Sequence, residues 1–400
     1  MDSSSSALTA PVATLMSTTA DERAGARAGR FYRPELDGLR FFAFVAVYME
    51  HTLGNGLGAS HRHIPVWAGE AIAAVGVAGT FGVDLFFVLS SYLITELLLR
   101  ERIALGVLDV KAFYIRRMLR IWPLYIFFVF VAYAIAFLVP GEGLTWKHVL
   151  GYLFFVGNWT YFLMPVNTVA GPLWSVALEE QFYLIWPWVV RKLPARRLAV
   201  CAAALIVLAT LMRLLMGIVH PDQDWVSKNS FTRVDGIAVG ALLAVGLRGG
   251  VPSLGSFARA ALLASCVAVL LAVAYTFGLF NLPVALVPLM LGWPIAALAC
   301  GGIVYCVIGS SGPFFAPLRS TPLVYLGRIS FGLYVYHELV LKLGELVFPH
   351  RDTSPAHMLA YWAFGLLVTI PVAAASYRWL ELPFLRLKRA RFTRVESRPD

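Results

Sequence analysis

Charged residues are scarce in this chain, and their scarcity excludes the most common class of protein. They make up 14% of its 400 residues, whereas 59% are hydrophobic and the mean hydropathy is +0.73. A soluble globular domain contains about 25% charged and about 45–50% apolar residues. The composition therefore predicts a protein that lies in the lipid bilayer and crosses it several times.

Cysteine patterns that bind metals or form disulfides are also absent. The four cysteines lie singly in apolar runs, without a CxxC pair and without pairing to histidine: Cys201, Cys266, Cys300 and Cys306. Cysteines of this kind are typically small buried hydrophobic residues. We therefore expect neither a disulfide framework nor a metal site.

The sequence also lacks the basic patches typical of nucleic-acid-binding proteins and the internal repeats typical of many transporters. The net charge is +10, but the basic residues form short clusters between apolar runs and not aromatic-interleaved patches. This pattern is typical of cytoplasmic loops in membrane proteins, so no nucleic-acid partner is expected. No internal repeat is visible, which disfavours a transporter built from inverted repeats.

The two ends of the chain are predicted to be cytoplasmic tails. Residues 1–32 are rich in Ser, Ala and Thr and lack an uninterrupted apolar region, so we expect a disordered tail and not a cleaved signal peptide. Residues 33–387 form one membrane domain. Residues 388–400 form a short basic tail.

The apolar pattern predicts an all-α, polytopic transmembrane helix bundle of about ten spans. These lie at about 39–58, 70–99, 121–139, 173–190, 198–219, 234–247, 258–280, 284–308, 323–348 and 358–379, the second with a tilt or break near Gly82. A crossing at 149–163 would put the basic stretch RKLPARR outside, so this segment is predicted to be re-entrant or interfacial. Only Arg62, Lys147, Lys228 and Arg351 then lie in external loops.

The stretch from Arg40 to His51 is the strongest local indication of a site. Its two ionisable residues are eleven positions apart, which places them about 16 Å apart along a helix. Ionisable groups at such depth usually line a site or a polar path. Similar residues recur through the predicted spans: Glu50, Asp84, Glu96, Glu179, Glu180, Arg213, Arg233, Asp235, Arg328, His337, Glu338, Lys342 and Arg378.

Seven motifs, in order, resemble the acyltransferase-3 family of membrane O-acyltransferases. They are RPELDGLRFFAF, FGVDLFFVLSSYLIT, RRMLRIWPLY, GPLWSVALEEQFYLIWP, RVDGIAVGALLA, LGRISFGLYVYHELV and SYRWLELPFLRL, and they cover residues 33–387. The resemblance implies about ten spans in a bacterial inner membrane. It also implies transfer of an acyl group, acetyl or another short one, from cytoplasmic acyl-CoA to a hydroxyl of a carbohydrate, a lipid-linked glycan or a glycosylated metabolite. Acyl-CoA is then a co-substrate, and no cofactor is tightly bound.

The resemblance also marks individual residues. Arg40 and His51 match the family's Arg-x10-His pair, and its other motifs contain Asp84, Arg116, Arg117, Glu180, Arg233, Asp235, Tyr334 and His337. Two positions depart from the family pattern: Ser91 replaces a glycine after Ser90, and Ala177 replaces a serine in WSVALEEQ. Both departures lie near the expected site and leave the preference for donor and acceptor open.

The residues themselves point to the same chemistry. Acyl transfer to a hydroxyl needs a base, and a neutral imidazole, with its usual pKa of about 6.5, suits that role at His51. We expect Glu50 to point to a different face of the helix, so Asp84 or Glu180 would orient the imidazole. An acyl-imidazole intermediate on His51 stays open. A serine acyl-enzyme is not expected, because no GxSxG motif is present.

Three arginines at the start of the third span are predicted to bind the donor. Arg116, Arg117 and Arg120 lie within about one and a half helical turns and present the planar groups that bind phosphates. The alternative from another class is a proton-coupled transporter or flippase for a glycan or small metabolite that uses the same buried charges as a relay.

Overall fold

A computed structural model of the protein describes residues 32–54, 65–138, 143–219, 226–279, 286–348 and 355–392. The described residues form helices joined by turns, with no strand. The helices are α1 Pro34–Met49, α2 Val66–Ala78, α3 Phe81–Leu105, α4 Val110–Ile135, α5 Trp146–Leu153, α6 Gly157–Leu163, α7 Leu173–Lys192, α8 Ala195–Val219, α9 Asp235–Leu247, α10 Ser256–Leu279, α11 Leu286–Val307, α12 Thr321–Arg328, α13 Ser330–Val347, α14 Pro355–Ser376 and α15 Leu382–Phe392. The predicted all-α fold is confirmed.

Six described helical stretches are long and apolar enough to cross a membrane. They are Trp67–Leu105, Val110–Ile135, Ala195–Val219, Ser256–Thr276, Met290–Val307 and Ala356–Leu387. The other predicted spans correspond to α1, α7, α9 and α13, which are shorter or carry several charged residues. The structure therefore supports a multi-pass membrane protein, and the count of ten spans stays a prediction.

Helix α3 lies at the centre of the bundle and packs against α1, α7, α9 and α11. Glycines allow two of these contacts to be very close. A Cβ at Gly82 would collide with the carbonyl oxygen of Ala43 on α1, and one at Gly240 on α9 would collide with Ser91 on α3. Small residues at such crossings let membrane helices pack backbone to backbone.

Arginine side chains fasten several helix ends together at one face of the bundle. Arg102 donates hydrogen bonds to the carbonyl oxygens of Val190 and Leu193 at 2.5 and 2.7 Å. Arg100 donates to the carbonyl oxygen of Gly249 at 3.4 Å. The C-terminal ends of α3, α7 and α9 therefore lie at the same face, which we call the arginine face. It corresponds to the side that the positive-inside pattern predicts to be cytoplasmic.

The segment between α4 and α7 does not cross the bundle. Helix α5 has eight residues and is about 12 Å long, far short of the roughly 30 Å of a hydrocarbon core. Because α4 begins at the arginine face and α7 ends there, the residues between them make no net crossing. On α6, Asn158 donates to Ser230 Oγ at 2.8 Å, which ties the segment to the protein. These features agree with the predicted re-entrant or interfacial segment.

Several predicted spans differ in detail from the helices observed. The span predicted at 121–139 begins eleven residues earlier, at Val110. The span predicted at 39–58 begins earlier, with Pro34 as the first helical residue, and ends in a wide π-helical turn at Glu50–Gly54. The break expected near Gly82 lies between Ala78 and Phe81. The span predicted at 323–348 is two helices, α12 and α13, that meet at Ile329.

Candidate functional site

His51 lies in the π-helical turn that ends α1. Its Nδ1 is 2.7 Å from Glu50 Oε2 and 3.0 Å from the carbonyl oxygen of Val47. Since a carbonyl oxygen can only accept a hydrogen bond, Nδ1 carries the proton of the neutral ring and Nε2 keeps its lone pair. The His51 side chain as a whole is 28% exposed.

The expectation that Glu50 faces away from His51 is wrong. A π-helical turn takes more residues than an α-helical turn, so it reduces the rotation between successive side chains. Here it brings the Glu50 carboxylate against the imidazole of its neighbour. Neither Asp84 nor Glu180 contacts His51 in the described part of the chain; each is held by a partner elsewhere.

Helix α13 presents a second histidine and a second carboxylate to His51. The rings of His51 and His337 meet edge to face, with centroids 4.9 Å apart. His51 Nε2 is 3.8 Å from Glu338 Oε2. His337 is fully buried, and its Nδ1 is 2.5 Å from the carbonyl oxygen of Tyr334. The site thus joins two pairs of chain neighbours, Glu50–His51 and His337–Glu338, which we call the acid–histidine pairs.

Arginines from α1 and α4 gather on the other side of the site, closer to the arginine face. Arg40, Arg117 and Arg120 are electrostatic neighbours of one another, and we call them the inner arginine cluster. Arg40 also forms an ion pair with Asp37, Nη1 to Oδ1 at 3.2 Å. Arg117 lies over the ring of Tyr183, with its Cζ 5.4 Å from the ring centroid.

Carboxylates of α7 line the inner arginine cluster. Glu179 is an electrostatic neighbour of Arg40 and Arg117, and it accepts a hydrogen bond from Tyr183 at 2.7 Å. Glu180 accepts one from Trp122 Nε1 at 3.0 Å and also faces Arg117. Glu180 therefore belongs to the arginine cluster and does not orient His51.

Arg116 has a different environment from the two arginines predicted to act with it. Its Nη2 lies 2.6 Å from Glu101 Oε2 near the end of α3. The three arginines predicted as one donor site are thus divided: Arg117 and Arg120 face the interior with Arg40, and Arg116 pairs with Glu101 at the arginine face.

Asp84 and Asp235, two further predicted site residues, lie in buried ion pairs between helices. Arg233 Nη2 is 2.9 Å from Asp84 Oδ2, and Arg213 Nη1 is 2.9 Å from Asp235 Oδ2. All four side chains are at most 1% exposed, and Arg233 also lies over the ring of Trp293 at 3.6 Å. These pairs join α3, α8 and α9, a position typical of structural ion pairs.

Tyr334 connects the two parts of the site. Its hydroxyl lies 2.7 Å from Ser175 Oγ and donates to the carbonyl oxygen of Pro172 at 2.8 Å. Its electrostatic neighbours include Glu179, beside the inner arginine cluster, and Glu50, beside His51. Arg40 and His51 themselves lie nearly three turns apart on α1, close to one face of that helix. Together these residues form a polar path inside an apolar bundle.

The two residues that depart from the family pattern, Ser91 and Ala177, lie in helices inside the bundle. Ser91 Oγ donates to the carbonyl oxygen of Val88 at 3.3 Å and packs against Gly240. Ser90 hydrogen-bonds to Glu179. Ala177 is fully buried. Only Ser90 of these three touches a group at the inner arginine cluster.

Sequence reasoning did not place Glu50, Glu338 or Glu179 in the site. A usable signal was present for the first two, since each stands next to a histidine inside a predicted span, as EH at 50–51 and HE at 337–338. Glu179 adjoins Glu180, and which of the two faces Arg40 depends on helix rotation that one sequence does not specify.

The comparisons with known proteins agree with these motifs. O-acetyltransferase OatA of Staphylococcus aureus strains MRSA252 and NCTC 8325 is 27% identical over 398 residues, which cover 91% of this chain and 60% of the relative. SAS0844 of S. aureus strain MSSA476, provisionally named an O-acetyltransferase, is 26% identical over 381 residues, 88% of this chain and 57% of the relative. The chain thus spans less than two thirds of the length of these relatives. No solved structure matches it significantly.

A profile of the acyltransferase-3 family, described as an acyltransferase domain, matches residues 33–378. This match covers most of the chain and contains the inner arginine cluster, Tyr334 and both acid–histidine pairs. The chain therefore belongs to the acyltransferase-3 family.

Proposed function

We propose that this protein transfers an acetyl or other short acyl group from cytoplasmic acyl-CoA to a hydroxyl of a carbohydrate or glycosylated acceptor. The observation that carries the proposal is the state of His51. Its Nδ1 is fixed by Glu50 and Val47, which leaves the lone pair of the neutral ring on Nε2, and the side chain as a whole is partly exposed. A general base needs this arrangement, an oriented ring with a free lone pair.

The reaction follows from that arrangement. His51 Nε2 takes the proton of the acceptor hydroxyl while the hydroxyl oxygen attacks the thioester carbonyl carbon. The C–S bond then breaks, an ester forms, and the proton passes from the imidazolium to the thiolate of CoA. Glu50 beside Nδ1 stabilises the imidazolium and holds the ring. Glu50 is therefore a positioning residue, and His51 is the catalytic residue.

The inner arginine cluster is proposed to bind the donor. Arg40, Arg117 and Arg120 place three cations at one end of the polar path. CoA carries its phosphates at one end and its thioester at the other, joined by an uncharged arm. Phosphates held at the arginines would let that arm run past Tyr334 toward His51. Glu179 and Glu180 hold these arginines in place before the donor binds.

The acceptor is proposed from the relatives and from the position of His51. The relatives are named O-acetyltransferases, which favours acetyl as the acyl group and a hydroxyl as its acceptor. His51 lies about 16 Å along α1 from Arg40, toward the end of the bundle opposite the arginine face. Donor and acceptor would thus approach from opposite sides of the membrane.

Purified protein in detergent, incubated with acetyl-CoA and an alkyl glucoside, tests this proposal. The glucoside presents sugar hydroxyls at the micelle surface. We expect release of free CoA, measured as thiol, together with an acetylated glucoside detected by mass spectrometry. Intact acetyl-CoA after long incubation with folded protein would contradict the acyl-transfer proposal and favour the transporter alternative, which releases no CoA.

A further inference from the structure

Three side chains of the site place metal-binding atoms close together. His51, His337 and Glu338 each offer one ligand atom, and these atoms all lie within 4.8 Å of one another. His51 Nε2 and Glu338 Oε2 are 3.8 Å apart. No second group of three such side chains is found among the residues that the structure describes.

Both histidines are oriented as metal ligands usually are. A histidine that binds a metal through Nε2 generally donates its Nδ1 proton to a carbonyl or carboxylate oxygen, which fixes the ring. His51 Nδ1 faces Val47 O and Glu50, and His337 Nδ1 lies 2.5 Å from Tyr334 O. Both lone pairs are therefore on Nε2, and a ring nitrogen of each histidine lies within 4.8 Å of the other histidine's and of a Glu338 carboxylate oxygen.

His337 gives a second, independent indication. It is fully buried, and within the described ranges its Nε2 has no hydrogen-bond partner. A buried polar atom without a partner costs about 1–3 kcal/mol. A cation between the rings would use this lone pair, and it would also offset the negative charges of the two carboxylates, Glu50 and Glu338, that flank the histidines.

We propose that His51, His337 and Glu338 bind one Zn²⁺. Two neutral imidazoles and one carboxylate are a known zinc ligand set that leaves a fourth position for water or another ligand. Ca²⁺ and Mg²⁺ prefer oxygen ligands alone. With bonds of about 2.0–2.1 Å, tetrahedral ligand atoms lie about 3.3 Å apart. The donor atoms, at most 4.8 Å apart, must therefore close by up to about 1.5 Å, through small movements of the partly exposed Glu338 and His51 side chains.

Zinc binding has a consequence that rests on the proposed function. Zn²⁺ at Nε2 occupies the lone pair that would take the acceptor's proton. The metal-bound protein would then be inactive, and Zn²⁺ would act as a reversible inhibitor at the site of the base. The binding itself does not depend on acyl transfer.

Equilibrium dialysis with Zn²⁺ in the absence of any acyl donor tests the binding. The full chain is purified in detergent and treated with a chelator first. We expect one Zn²⁺ per chain in the wild type, at least tenfold weaker binding in His337→Gln and Glu338→Gln, and unchanged binding in His357→Gln, which removes an exposed histidine of α14. Equal binding by the wild type and the first two variants, or no binding by the wild type at micromolar Zn²⁺, would overturn the proposal.

Thermal unfolding keeps the test decisive if the buried His337→Gln variant fails to fold. Glu338 is partly exposed, so Glu338→Gln is expected to fold. A ligand that binds only the native state raises the melting temperature. Zn²⁺ should therefore raise it for the wild type and His357→Gln and much less for Glu338→Gln. The same shift in all three proteins would show that Zn²⁺ binds elsewhere.

The inhibitory consequence has its own measurement. Saturating Zn²⁺ should abolish CoA release by the wild type, and a chelator should restore it. Full turnover with one Zn²⁺ bound per chain would overturn the inhibition while leaving the site in place. An inactive protein that still binds Zn²⁺ through these residues would instead contradict the proposed acyl transfer.

Discussion

At the scale of single residues, the account depends on which nitrogen of His51 carries a proton. Val47 O and Glu50 both lie against Nδ1, so two acceptors, one of them charged, hold the same tautomer. In the proposed mechanism the carboxylate would also stabilise the imidazolium that forms in the transition state, and the backbone carbonyl would do so only weakly. The contribution of Glu50 should therefore be measurable on its own.

Replacing Glu50 with Gln should lower kcat by about tenfold, less than the roughly 10²- to 10⁴-fold attributed to the acid–base group itself, and leave the KM for acyl-CoA unchanged. Val47 O still holds the tautomer, which limits the loss. Steady-state kinetics against acetyl-CoA measure both constants. Glu50→Asp should recover part of the turnover. Glu345→Gln serves as the control, because Glu345 is a half-buried carboxylate on α13, two helical turns after Glu338. Equal effects of Glu50→Gln and Glu345→Gln would refute the positioning role.

The division of the arginines gives a second residue-scale prediction. Arg117→Gln and Arg120→Gln should each raise the KM for acyl-CoA, because a hydrogen bond to a charged group contributes roughly 1.5–3 kcal/mol and partial hydration reduces this. Arg116→Gln should raise it less, since Arg116 already pairs with Glu101. Steady-state kinetics at two ionic strengths should show that the KM for acyl-CoA depends less on salt in Arg117→Gln and Arg120→Gln than in the wild type. A larger effect at Arg116 would place the phosphates at the arginine face.

The residues of the site could be predicted only in part, and the reason is physical. His51 and Arg40 stand out because charged residues inside an apolar span are costly. Their partners do not, because His51 and His337 lie on helices that are distant in the chain. The position of Glu50 depends on the π-helical turn Glu50–Gly54. Its terminal glycine is equally typical of the end of an ordinary α-helix, so the sequence does not reveal the wider turn.

At the scale of helices, the buried ion pairs join α3 to α9 and α9 to α8. Asp84→Asn leaves the buried Arg233 without its charge partner, and breaking such a pair typically costs about 3–5 kcal/mol. We expect a lower melting temperature in detergent for Asp84→Asn. The melting temperature of the double variant Asp84→Leu, Arg233→Met should fall less than that of Asp84→Asn, because no unpaired buried charge remains. A fully stable Asp84→Asn that has lost turnover would instead support the catalytic role predicted from the sequence.

The segment made of α5 and α6 gives a prediction about topology. In a background without cysteine, Lys147→Cys should react only with reagent added outside, and Lys192→Cys only from the cytoplasm. Both side chains are exposed, and three of the four native cysteines are buried. Labelling of both positions from the same side would mean that α5 and α6 together cross the membrane.

The helices themselves were largely predictable, and their ends were not. Long apolar runs give α8, α10 and α11 close to the predicted spans, whereas α4 begins eleven residues before the start predicted at 121. The join between α12 and α13 was missed because it depends on packing: Gly327 lets the Asp37 carbonyl of α1 approach α12 closely. Such a contact between distant segments leaves no local pattern.

At the scale of the whole molecule, the arginines lie apart from His51, the proposed catalytic base. Arginines gather at one face, the inner arginine cluster lies within the bundle, and His51 lies farther along α1. Composition predicted a membrane protein and positive-inside topology, but the polar path arises only when α1, α4, α7 and α13 pack together. A single enzyme could in this way take a donor from one side and an acceptor from the other.

The turnover of His51→Ala shows whether His51 is the catalytic base. Acetyl-CoA consumption and acetylated alkyl glucoside are measured for wild type and variant, both shown to be folded and monodisperse in the same detergent. The account predicts a loss of at least about 100-fold in kcat, because a general base typically contributes 10²- to 10⁴-fold, with the KM for acetyl-CoA unchanged. Wild-type turnover by folded His51→Ala would contradict it.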